Sequence, residues 1–582
     1  MTIYRTRTII LSCLALGVLM AACGPSQTTT QSRPQDQATA SSEPGRQKTI
    51  HLGVSDDVKV MPMMGSNTTA GGWQSVNELY AQGLVSSDRD VRRPIPRLAS
   101  QVPSFESGTI EVLPDGRMRT TYPLRRDVKW HDGQPFTASD LTFTFELMKD
   151  PNVPHLSVEA VNVMESAEAP DDYTFVIYWR TPYYLADSVG LRAFWPLPRH
   201  LLEQPYRTVD ALAFTNLPYW TSQYVHTGPF RVLEFRPGEE ITFAAFDGYF
   251  LGRPKVDRVI VRGFNDENVL YSALLSGAVD MIMDNSLSPD KGLELKDAWD
   301  RSGAGTVYLG VGTTRFLAPQ FDPAVQQTPA LLDPQVRAAL MFSMDRASIS
   351  EVIQNGHREF IANSLLPPGD RLFDATKDSF ALFPYDQARS RSILERLGWR
   401  MGGDQVLVSP SGERFTTNLW TTEGGGREIA LVGDYLKQIG IGAEQYVIPG
   451  ARVRDREYRS LYPGMETSAA GYGDSILNRV DSRQSAIAPN YSGTNRGHYL
   501  NPSLDTLIDR YRGSIAIRDQ EQAVAAIAQS MATDLPLLLL YFNPTTPAAR
   551  KGIKALDDFM GGAEGAQLYG TFTRNAHEWD VL

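Results

Sequence analysis

The sequence predicts an α/β fold built from more than one domain. Helix-like and strand-like patterns alternate along the chain, an order that is typical of α/β proteins. The chain has 582 residues, enough for three or four domains at roughly 100–200 residues each. Apolar residues make up 42% of the chain and charged residues 21%, a composition that can build ordinary buried cores.

Charge and cysteine content exclude several classes of function. The formal net charge is −11, and a net-acidic chain lacks the positive surface of nucleic-acid-binding proteins, so we expect no nucleic-acid partner. Both cysteines, Cys13 and Cys23, lie at the amino terminus, which leaves the body without a disulfide framework or a Cys-rich zinc site. The eight histidines are dispersed, so we expect no metal site and no cofactor.

The amino terminus is typical of a secretory signal peptide. Arg5 and Arg7 precede an apolar run over residues 9–22, which is shorter than the roughly 20 residues that span a bilayer. We therefore predict a signal peptide over residues 1–22. The run ends in Leu-Met-Ala-Ala-Cys-Gly, which resembles a bacterial lipobox with Met20 where Leu is usual. The resemblance implies that Cys23 is lipidated and becomes the first residue of the mature chain.

Residues 23–48 then predict a flexible tether. This segment is rich in Ser, Thr, Gln and Pro and has no aromatic or large aliphatic residue, so it cannot bury enough surface to offset the entropy of ordering. We expect an extracytoplasmic protein, in the periplasm or at the cell surface, that is held to the membrane by lipidated Cys23.

Strand patterns open the body and recur along it. Residues 50–54 predict a first strand, and residues 121–125 a second one. Because proline cannot donate to a ladder, Pro123 predicts that the second strand lies at a sheet edge. The apolar segments 230–232 and 241–244, on either side of Pro-Gly, predict a hairpin.

Helix boundaries are indicated by capping residues. Thr137 with Asp140 forms a carboxylate version of the capping box, and Gly277 predicts a helix end. Asp333-Pro334 and Asn501-Pro502 each predict a helix start with proline at the first helical position.

One segment carries a specific resemblance. Residues 122–141, which read YPLRRDVKWHDGQPFTASDL, closely resemble the signature of family 5 extracellular solute-binding proteins, the oligopeptide-, dipeptide- and nickel-type binding components of ABC importers. Further matches occur in the order expected for that family, and together they extend the likeness to roughly residues 50–545. They lie at residues 77–84, 227–230, 249–255, 276–280, 336–346, 384–386, 397–399 and 438–441.

The resemblance implies a periplasmic-binding-protein type II fold. Two α/β lobes are joined by two chain crossings and close on a ligand by a hinge motion, and an extra subdomain extends lobe I. Mapped by motif order, lobe I is expected to comprise residues 49–92, 225–310 and 535–582, the extra subdomain residues 93–224, and lobe II residues 311–534.

The same resemblance implies a binding function without catalysis. A family member captures an oligopeptide or a similar small solute and delivers it to the transmembrane subunits of an ABC permease. No bond is made or broken, so we expect no enzyme activity, and we expect a monomer. Peptide binders of this kind treat the ligand as an added strand and accept varied side chains in roomy pockets.

The resemblance also implies a partner for a peptide's ammonium group. In family peptide binders an Asp after a Gly-Trp-like element supplies the carboxylate. The nearest match here is Asp474, with Tyr472 in the place of the Trp. The spacing is one residue shorter than usual and the following Asp-Pro is absent, so a solvated loop Asp is the alternative.

Other candidate cleft residues follow from the same comparison. Trp420 ends a predicted strand, and the backbone N–H groups of the following turn, from Thr422 onward, could meet an anionic ligand group, with Arg427 as its charge partner. A flexible Gly turn is the alternative. Tyr491 is expected to be a stacking wall of the cleft or a core residue, and Asn67 corresponds to a loop that faces the cleft in relatives.

The signature residues themselves are expected to be structural. We predict that Trp130 and His131 shape a turn and that His131 is packed or caps a helix, without binding a ligand. Arg337, Asp345 and Arg346 are expected to cap helices and form ion pairs.

Three alternatives stay open. The fold could bind a non-peptide ligand such as a metal chelate, a sugar, haem or an opine, with His498 as a chelate ligand. A secreted hydrolase is a second alternative, although the sequence has neither a Gly-x-Ser-x-Gly elbow nor a His-Glu-x-x-His motif. The third is a signalling receptor without a transporter.

Overall fold

The computed structural model describes residues 47–56, 61, 72, 74–87, 94–153, 159–368, 370, 372–471, 474–556 and 572–582. The predicted signal peptide, Cys23, most of the tether, Asn67, Tyr472 and the side chain of Asp474 lie outside this part. Within it, no helix has both the length and the apolar character needed to cross a bilayer.

The strands are, in chain order, β1 (Thr49–Ser55), β2 (Val85–Ser87), β3 (Pro94–Pro96), β4 (Ile110–Val112), β5 (Met118–Pro123), β6 (Met164–Asp171), β7 (Thr174–Trp179), β8 (Phe230–Arg236), β9 (Glu240–Ala245), β10 (Arg258–Phe264), β11 (Met281–Ile282), β12 (Gly305–Val307), β13 (Gly310–Pro319), β14 (Arg400–Met401), β15 (Leu407–Val408), β16 (Thr416–Thr421), β17 (Gly442–Val447), β18 (Met465–Ala470), β19 (Leu538–Thr545), β20 (Ala548–Arg550), β21 (Ile553–Lys554) and β22 (Asp580–Val581).

The α-helices are, in chain order, α1 (Asn77–Tyr80), α2 (Ala138–Lys149), α3 (Glu159–Val163), α4 (Arg199–Thr208), α5 (Ala211–Thr215), α6 (Glu267–Ser276), α7 (Pro289–Ser302), α8 (Pro334–Ser343), α9 (Arg346–Ile353), α10 (Phe373–Thr376), α11 (Gln387–Arg396), α12 (Gly426–Gln438), α13 (Arg456–Ser460), α14 (Asp474–Leu477), α15 (Pro502–Gly513) and α16 (Ile517–Asp534).

Sheet A has seven strands in the order β12-β20-β11-β1-β10-β9-β8. The predicted first strand is confirmed as β1, which runs parallel to both neighbours, with Leu52 opposite Val261 on one side and Met281 on the other. Ile50, Leu52 and Val54 are fully buried, because alternate residues of a strand share one face and this face packs into the hydrophobic core. The predicted hairpin is confirmed as β8 and β9.

Sheet B has five strands in the order β17-β16-β18-β13-β19. β16 runs parallel to β17 and β18, whereas β13 is antiparallel to β18 and β19. The segment Leu538–Thr545, which the sequence analysis assigns to lobe I, therefore lies at the edge of the sheet that contains Gly310–Pro319.

Sheet C is antiparallel, with strands in the order β4-β5-β7-β6. The prediction that the strand carrying Pro123 lies at an edge is wrong, because β5 lies between β4 and β7. The physical reason is the length of β4, whose pairing ends with Ile110 opposite Thr120. Pro123 lies beyond that point, so the ladder to β4 needs no donor from it.

Two short crossings connect sheets A and B. The chain leaves β12 at Val307 and enters β13 at Gly310, and it leaves β19 at Thr545 and enters β20 at Ala548. The two crossings lie side by side, since the backbone N–H of Tyr308 donates to the carbonyl of Pro547 at 2.9 Å.

The predicted helix boundaries are confirmed. The backbone N–H of Thr137 donates to Asp140 Oδ2 at 2.9 Å at the start of α2, and Gly277 ends α6 with a φ of 82°. α8 and α15 each begin at a proline, and the preceding Asp333 and Asn501 accept hydrogen bonds from backbone N–H groups of the first turn.

Residues of the family signature pack between sheets A and C. We call this group the signature cluster and define it as Trp130, His131, Asp140, His226 and Gly228. Trp130 is fully buried, its Nε1 donates to Asp140 Oδ2 at 3.3 Å, and its ring lies 5.5 Å from that of His226. The expectation that Trp130 and His131 are structural is confirmed.

His131 is held by two backbone groups. Its Nε2 donates to the carbonyl of Gly228 at 3.0 Å, and its Nδ1 accepts from the backbone N–H of His226 at 3.2 Å. A ring that donates through one nitrogen and accepts through the other is neutral. Burial lowers the pKa of His131 to about 4 and the pKa of His226 well below its ordinary value.

The arginines of α8 and α9 are structural, and Arg337 caps a helix as predicted, because it donates to the carbonyl of Asp534, the last residue of α16. Arg337 donates to the carbonyls of Asp534 and Leu331, and Arg346 to the carbonyl of Ala362 at 2.7 Å. Among the described residues neither forms an ion pair, so that part of the expectation is wrong. Asp345 caps α9 as predicted, accepting from the backbone N–H of Ser348 at 3.1 Å.

Candidate functional site

The parallel strands of both sheets end near the two crossings. In sheet A, β1, β10, β11 and β12 run parallel, and β12 leads directly into a crossing. In sheet B, β16, β17, β18 and β19 share one direction, and β19 leads into the other crossing. Ligands of open α/β sheets bind in the crevice outside the carboxyl ends of the strands. The candidate site is therefore the crevice between these two edges.

Several predicted site residues lie at the sheet B edge. Trp420 is the penultimate residue of β16, and Thr422 follows that strand directly. Asp474 begins α14, four residues after the end of β18. The structure thus brings Trp420, Thr422 and the backbone of Asp474 to one edge. The predictions for Asn67, for Tyr472 and for the carboxylate of Asp474 fall outside the described residues and stay predictions.

Trp420 belongs to an aromatic platform, which we define as Trp420, Tyr446 and Tyr458. The Trp420 ring lies 4.7 Å from that of Tyr446 and 5.1 Å from that of Tyr458. The two tyrosine hydroxyls are 2.6 Å apart, and the Arg452 guanidinium lies 4.0 Å from the centre of the Tyr458 ring. Trp420 is half-buried, so the platform can offer an aromatic surface to a ligand.

Tyr491 lies beside α13, the short helix that carries Tyr458 of the aromatic platform. It adopts a left-handed φ of 47°. Desolvation, together with the charge and a hydrogen bond of Glu457, raises its pKa. Glu457 precedes Tyr458 in α13. Tyr491 and Trp420 are therefore brought to one helix although they are far apart in sequence.

The turn after β16 leads into a helix whose first turn has no side-chain cap. A short 3₁₀ turn over Glu423–Gly425 leads into α12, and no described side chain caps the first turn of that helix. A Cβ on Gly425 would lie 1.9 Å from Thr421 Oγ1, which explains why glycine is needed here. The uncapped N–H groups are suited to an anionic group.

Arg427 is directed away from this turn. Its Nη2 donates to the carbonyl of Val352 at 3.0 Å. Burial raises the pKa of Asp290, in the first turn of α7, and the charge of Arg427 opposes that rise. Arg427 of α12 therefore interacts with a helix that packs on sheet A. Its predicted role as the charge partner of a ligand is not tested by these contacts.

A buried ion pair supports the turn and was not predicted from the sequence. Arg315 Nε donates to Glu428 Oε2 at 3.1 Å, and Arg315 Nη2 to Thr467 Oγ1 at 3.3 Å. Burial raises the pKa of Glu428, and the positive charge of Arg315 opposes this. The pair fixes α12 to β13 and β18. The only sign of this ion pair in the sequence is Arg315, a charged residue within β13.

A buried carboxylate supports the sheet A edge and was also missed. Asp284 follows β11, is 3% exposed, and accepts hydrogen bonds from the Ser75 hydroxyl and from Asn285 Nδ2. Burial raises its pKa. Its contact with Ser75 ties the start of α1 to this edge. The signal that could have found it is a run of polar residues directly after a short apolar strand.

Metal-ligating side chains do not cluster in the described part of the chain. No group of three or more His, Cys, Asp and Glu there could hold a metal ion. His498, the candidate chelate ligand, bonds through its Nε2 to the carbonyl of Ala486 at 2.9 Å, whereas its Nδ1 is buried and has no hydrogen-bond partner among the described residues.

Comparison with known families identifies one match. The model for bacterial extracellular solute-binding proteins of family 5 (middle region) matches residues 93–475. The chain is 23% identical over 439 residues to the oligopeptide-binding protein AppA of Bacillus subtilis, covering 74% of this chain and 76% of that protein.

Solved structures have the same fold. The oligopeptide-binding protein of Thermus thermophilus, complexed with a pentapeptide, is similar with a TM-score of 0.68 and 22% identity, covering 92% of this chain and 96% of that one. NikZ of Campylobacter jejuni, in complex with Ni(L-His), has a TM-score of 0.69 and 20% identity, covering 91% and 99%. The predicted α/β fold of periplasmic binding proteins is confirmed.

Proposed function

Because the chain belongs to family 5 of the bacterial extracellular solute-binding proteins, which are binding components of ABC transporters and not enzymes, we propose that it captures an oligopeptide or a similar small solute between sheets A and B. The observation that carries this proposal is the pair of two-residue crossings, which join the carboxyl edges of the two sheets and leave a crevice between them.

In this proposal sheets A and B are the cores of two lobes. Lobe I is sheet A with residues 93–224, which include sheet C, as its extension, and lobe II is sheet B. Because Leu538–Thr545 pairs with β13, we draw the second lobe boundary after Thr545, where the sequence analysis drew it before residue 535.

Closure would occur at the crossings. Each crossing is two residues long, and the Tyr308 to Pro547 hydrogen bond makes them move together. A hinge needs large φ/ψ changes at only a few such residues. The closed, liganded form would then dock on the transmembrane subunits of an ABC permease, with a monomer as the acting unit.

A peptide would be recognised mainly through its backbone and its termini. The aromatic platform would pack against ligand side chains, the first turn of α12 would accept an anionic group, and Asp474 would accept the ammonium. The buried Arg315–Glu428 pair supports this arrangement because it fixes the helix that carries the turn.

The ligand is tested by native mass spectrometry of the purified chain followed by calorimetric titration. We expect a co-purified peptide, or saturable binding of peptides with little dependence on sequence. Peptides with a blocked amino terminus should bind more weakly to the wild type, and Asp474→Asn should abolish the difference. Binding of a metal chelate, sugar or haem in place of peptides would contradict the peptide ligand and leave the solute-binding function intact.

The membrane anchor is tested separately. We expect mass spectrometry of the mature protein to find a diacylglycerol-modified Cys23 at the amino terminus, and Cys23→Ser to release the protein into the soluble fraction. A mature chain that starts elsewhere, without lipid, would contradict the anchor.

A further inference from the structure

A small cavity lies on the face of sheet B that is turned away from α12. Its volume is about 10 Å³. Because side chains alternate between the faces of a strand, Glu466 and Ser468 of β18 face it, whereas Thr467 faces Arg315 and α12. The polar side chains of its lining belong to Tyr462, Glu466, Ser468, Arg479, Thr494, Asn495, Arg496 and Tyr499.

Positive charge is in excess around this cavity. Arg459 is paired with Glu466, with its Nε donating to Glu466 Oε1 at 2.7 Å. Arg496 Nε lies 3.8 Å from Glu466 Oε2, and Arg479 forms no ion pair in the described part of the chain. One carboxylate that is 1% exposed thus faces three guanidinium groups, two of which, Arg479 and Arg496, are half-buried, and charges withdrawn from water are normally compensated.

Hydrogen-bond donors are also in excess. Arg479 donates from Nη1 to the carbonyl of Thr494 at 3.2 Å and from Nη2 to that of Ala469 at 3.0 Å. Its Nε is buried and has no acceptor among the described residues. Arg496 donates to Ser468 Oγ at the long distance of 3.4 Å. Leaving such donors without an acceptor costs free energy, so the site favours an acceptor of negative charge.

The environment of Arg479 is consistent with this lack of negative charge. Burial, followed by the charge of Arg496, lowers the pKa of Arg479 to about 10. The nearby charge of Glu466 only partly opposes this change, because that carboxylate already serves Arg459.

We propose that this cavity binds one monovalent anion of halide size, chloride being the natural occupant outside a cell, between the guanidinium groups of Arg479 and Arg496. Size decides the class of ligand. The cavity, with a volume of about 10 Å³, has room for about one water-sized sphere, so a single-atom ion fits it more readily than a carboxylate, phosphate or peptide group does. The proposal does not rest on the proposed function.

The anion would act on the crevice through the backbone. Arg479 holds the carbonyl of Ala469 near the end of β18, and the segment that follows leads to Asp474. Compensating the charge of Arg479 would keep that strand end in place. We therefore expect chloride to raise thermal stability and to tighten ligand binding modestly.

The test measures thermal unfolding of the full chain at constant ionic strength in sodium chloride, sodium bromide or sodium gluconate. We expect saturable stabilisation by the two halides beyond that in gluconate, as mass action requires for a ligand that binds only the native state. Arg479→Gln should lose the halide dependence. The matched control is Arg414→Gln, which removes a half-exposed arginine on the surface and should keep it.

Crystals grown in bromide provide a test that needs no variant. We expect one anomalous-scattering peak within hydrogen-bond distance of Arg479 and Arg496. Equal unfolding temperatures in all three salts, or a cavity that holds only water in bromide crystals, would overturn the proposal. If Arg479→Gln does not fold, Arg479→Lys keeps the charge with fewer donors and should show a weakened halide dependence.

Discussion

Between sheets A and C, the signature cluster buries its histidines as neutral rings, whereas the interior of sheet B buries polar groups as ion pairs. The His131 ring bonds to backbone groups of Gly228 and His226, and the His226 ring accepts from the backbone N–H of Thr227. In sheet B, by contrast, Arg315 binds Glu428 and Arg459 binds Glu466. The segment that identifies the family therefore serves to stabilise the packing between sheets A and C. The buried ion pairs lie elsewhere, beside the strands of sheet B whose ends border the crevice.

The largest effect is expected from breaking an ion pair of sheet B. Glu428→Ala leaves Arg315 buried without its partner, which should cost ~3–5 kcal/mol of unfolding free energy, measured by chemical denaturation. The control is the double variant Arg315→Met/Glu428→Leu, in which both charges are removed and most of the stability should return. Equal loss in the single and double variants would contradict a charge effect.

A slightly smaller effect is expected in the signature cluster, where the constraint is steric. A Cβ on Gly228 would lie 2.2 Å from the carbonyl carbon of Tyr80, and backbone cannot move aside as a side chain can. Gly228→Ala should cost ~3 kcal/mol. Gly403→Ala, at a site where a Cβ meets nothing within 4 Å, should be close to neutral. If both variants unfold alike, the close approach is not what requires glycine.

Acid should weaken the neutral cluster. The pKa of His131 is about 4 in the folded chain and near 6.5 in an unfolded one. The contribution of the neutral His131 ring to the free energy of unfolding is therefore complete above pH ~6.5 and is lost as the pH falls toward 4. By pH ~5 the loss from His131 should be on the order of 2 kcal/mol, measured as the pH dependence of unfolding. His131→Gln should flatten this dependence, and an unchanged slope would contradict the assignment.

The smallest effect concerns the aromatic platform. Trp420→Ala should weaken ligand binding about tenfold, which corresponds to ~1.4 kcal/mol, by removing a surface that packs against the ligand. Trp399→Ala is the matched control, since Trp399 contacts Phe415 at 4.7 Å away from the crevice edge. Titration calorimetry should find unchanged affinity for the control, and equal losses in both variants would indicate a structural effect.

The sequence predicted what depends on neighbouring residues. Thr137 with Asp140 and Asp333 with Pro334 lie within a few residues of each other, so their capping follows from local chemistry alone. The family signature likewise predicted the α/β fold and the structural role of Trp130. Each of these is a short-range pattern.

Features that depend on topology were not predictable in the same way. The presence of Pro123 predicts an edge strand, because the sequence of β5 does not reveal that its neighbour β4 ends before it reaches the proline. Arg315 and Glu428 are 113 residues apart, and only the order of strands in sheet B brings them together. The acceptors of Arg337 are backbone carbonyls, which no sequence pattern marks.

The interleaved order of the strands has a consequence for secretion. β19 completes the edge of sheet B, and β20 lies between β11 and β12 of sheet A, yet both come after residue 537 of the chain. A polypeptide that emerges from the membrane amino terminus first therefore holds two incomplete sheets until its final segment arrives. Neither sheet can be completed before this final segment arrives, and a protein cut short before residue 538 would present open sheet edges to the proteases outside the cell.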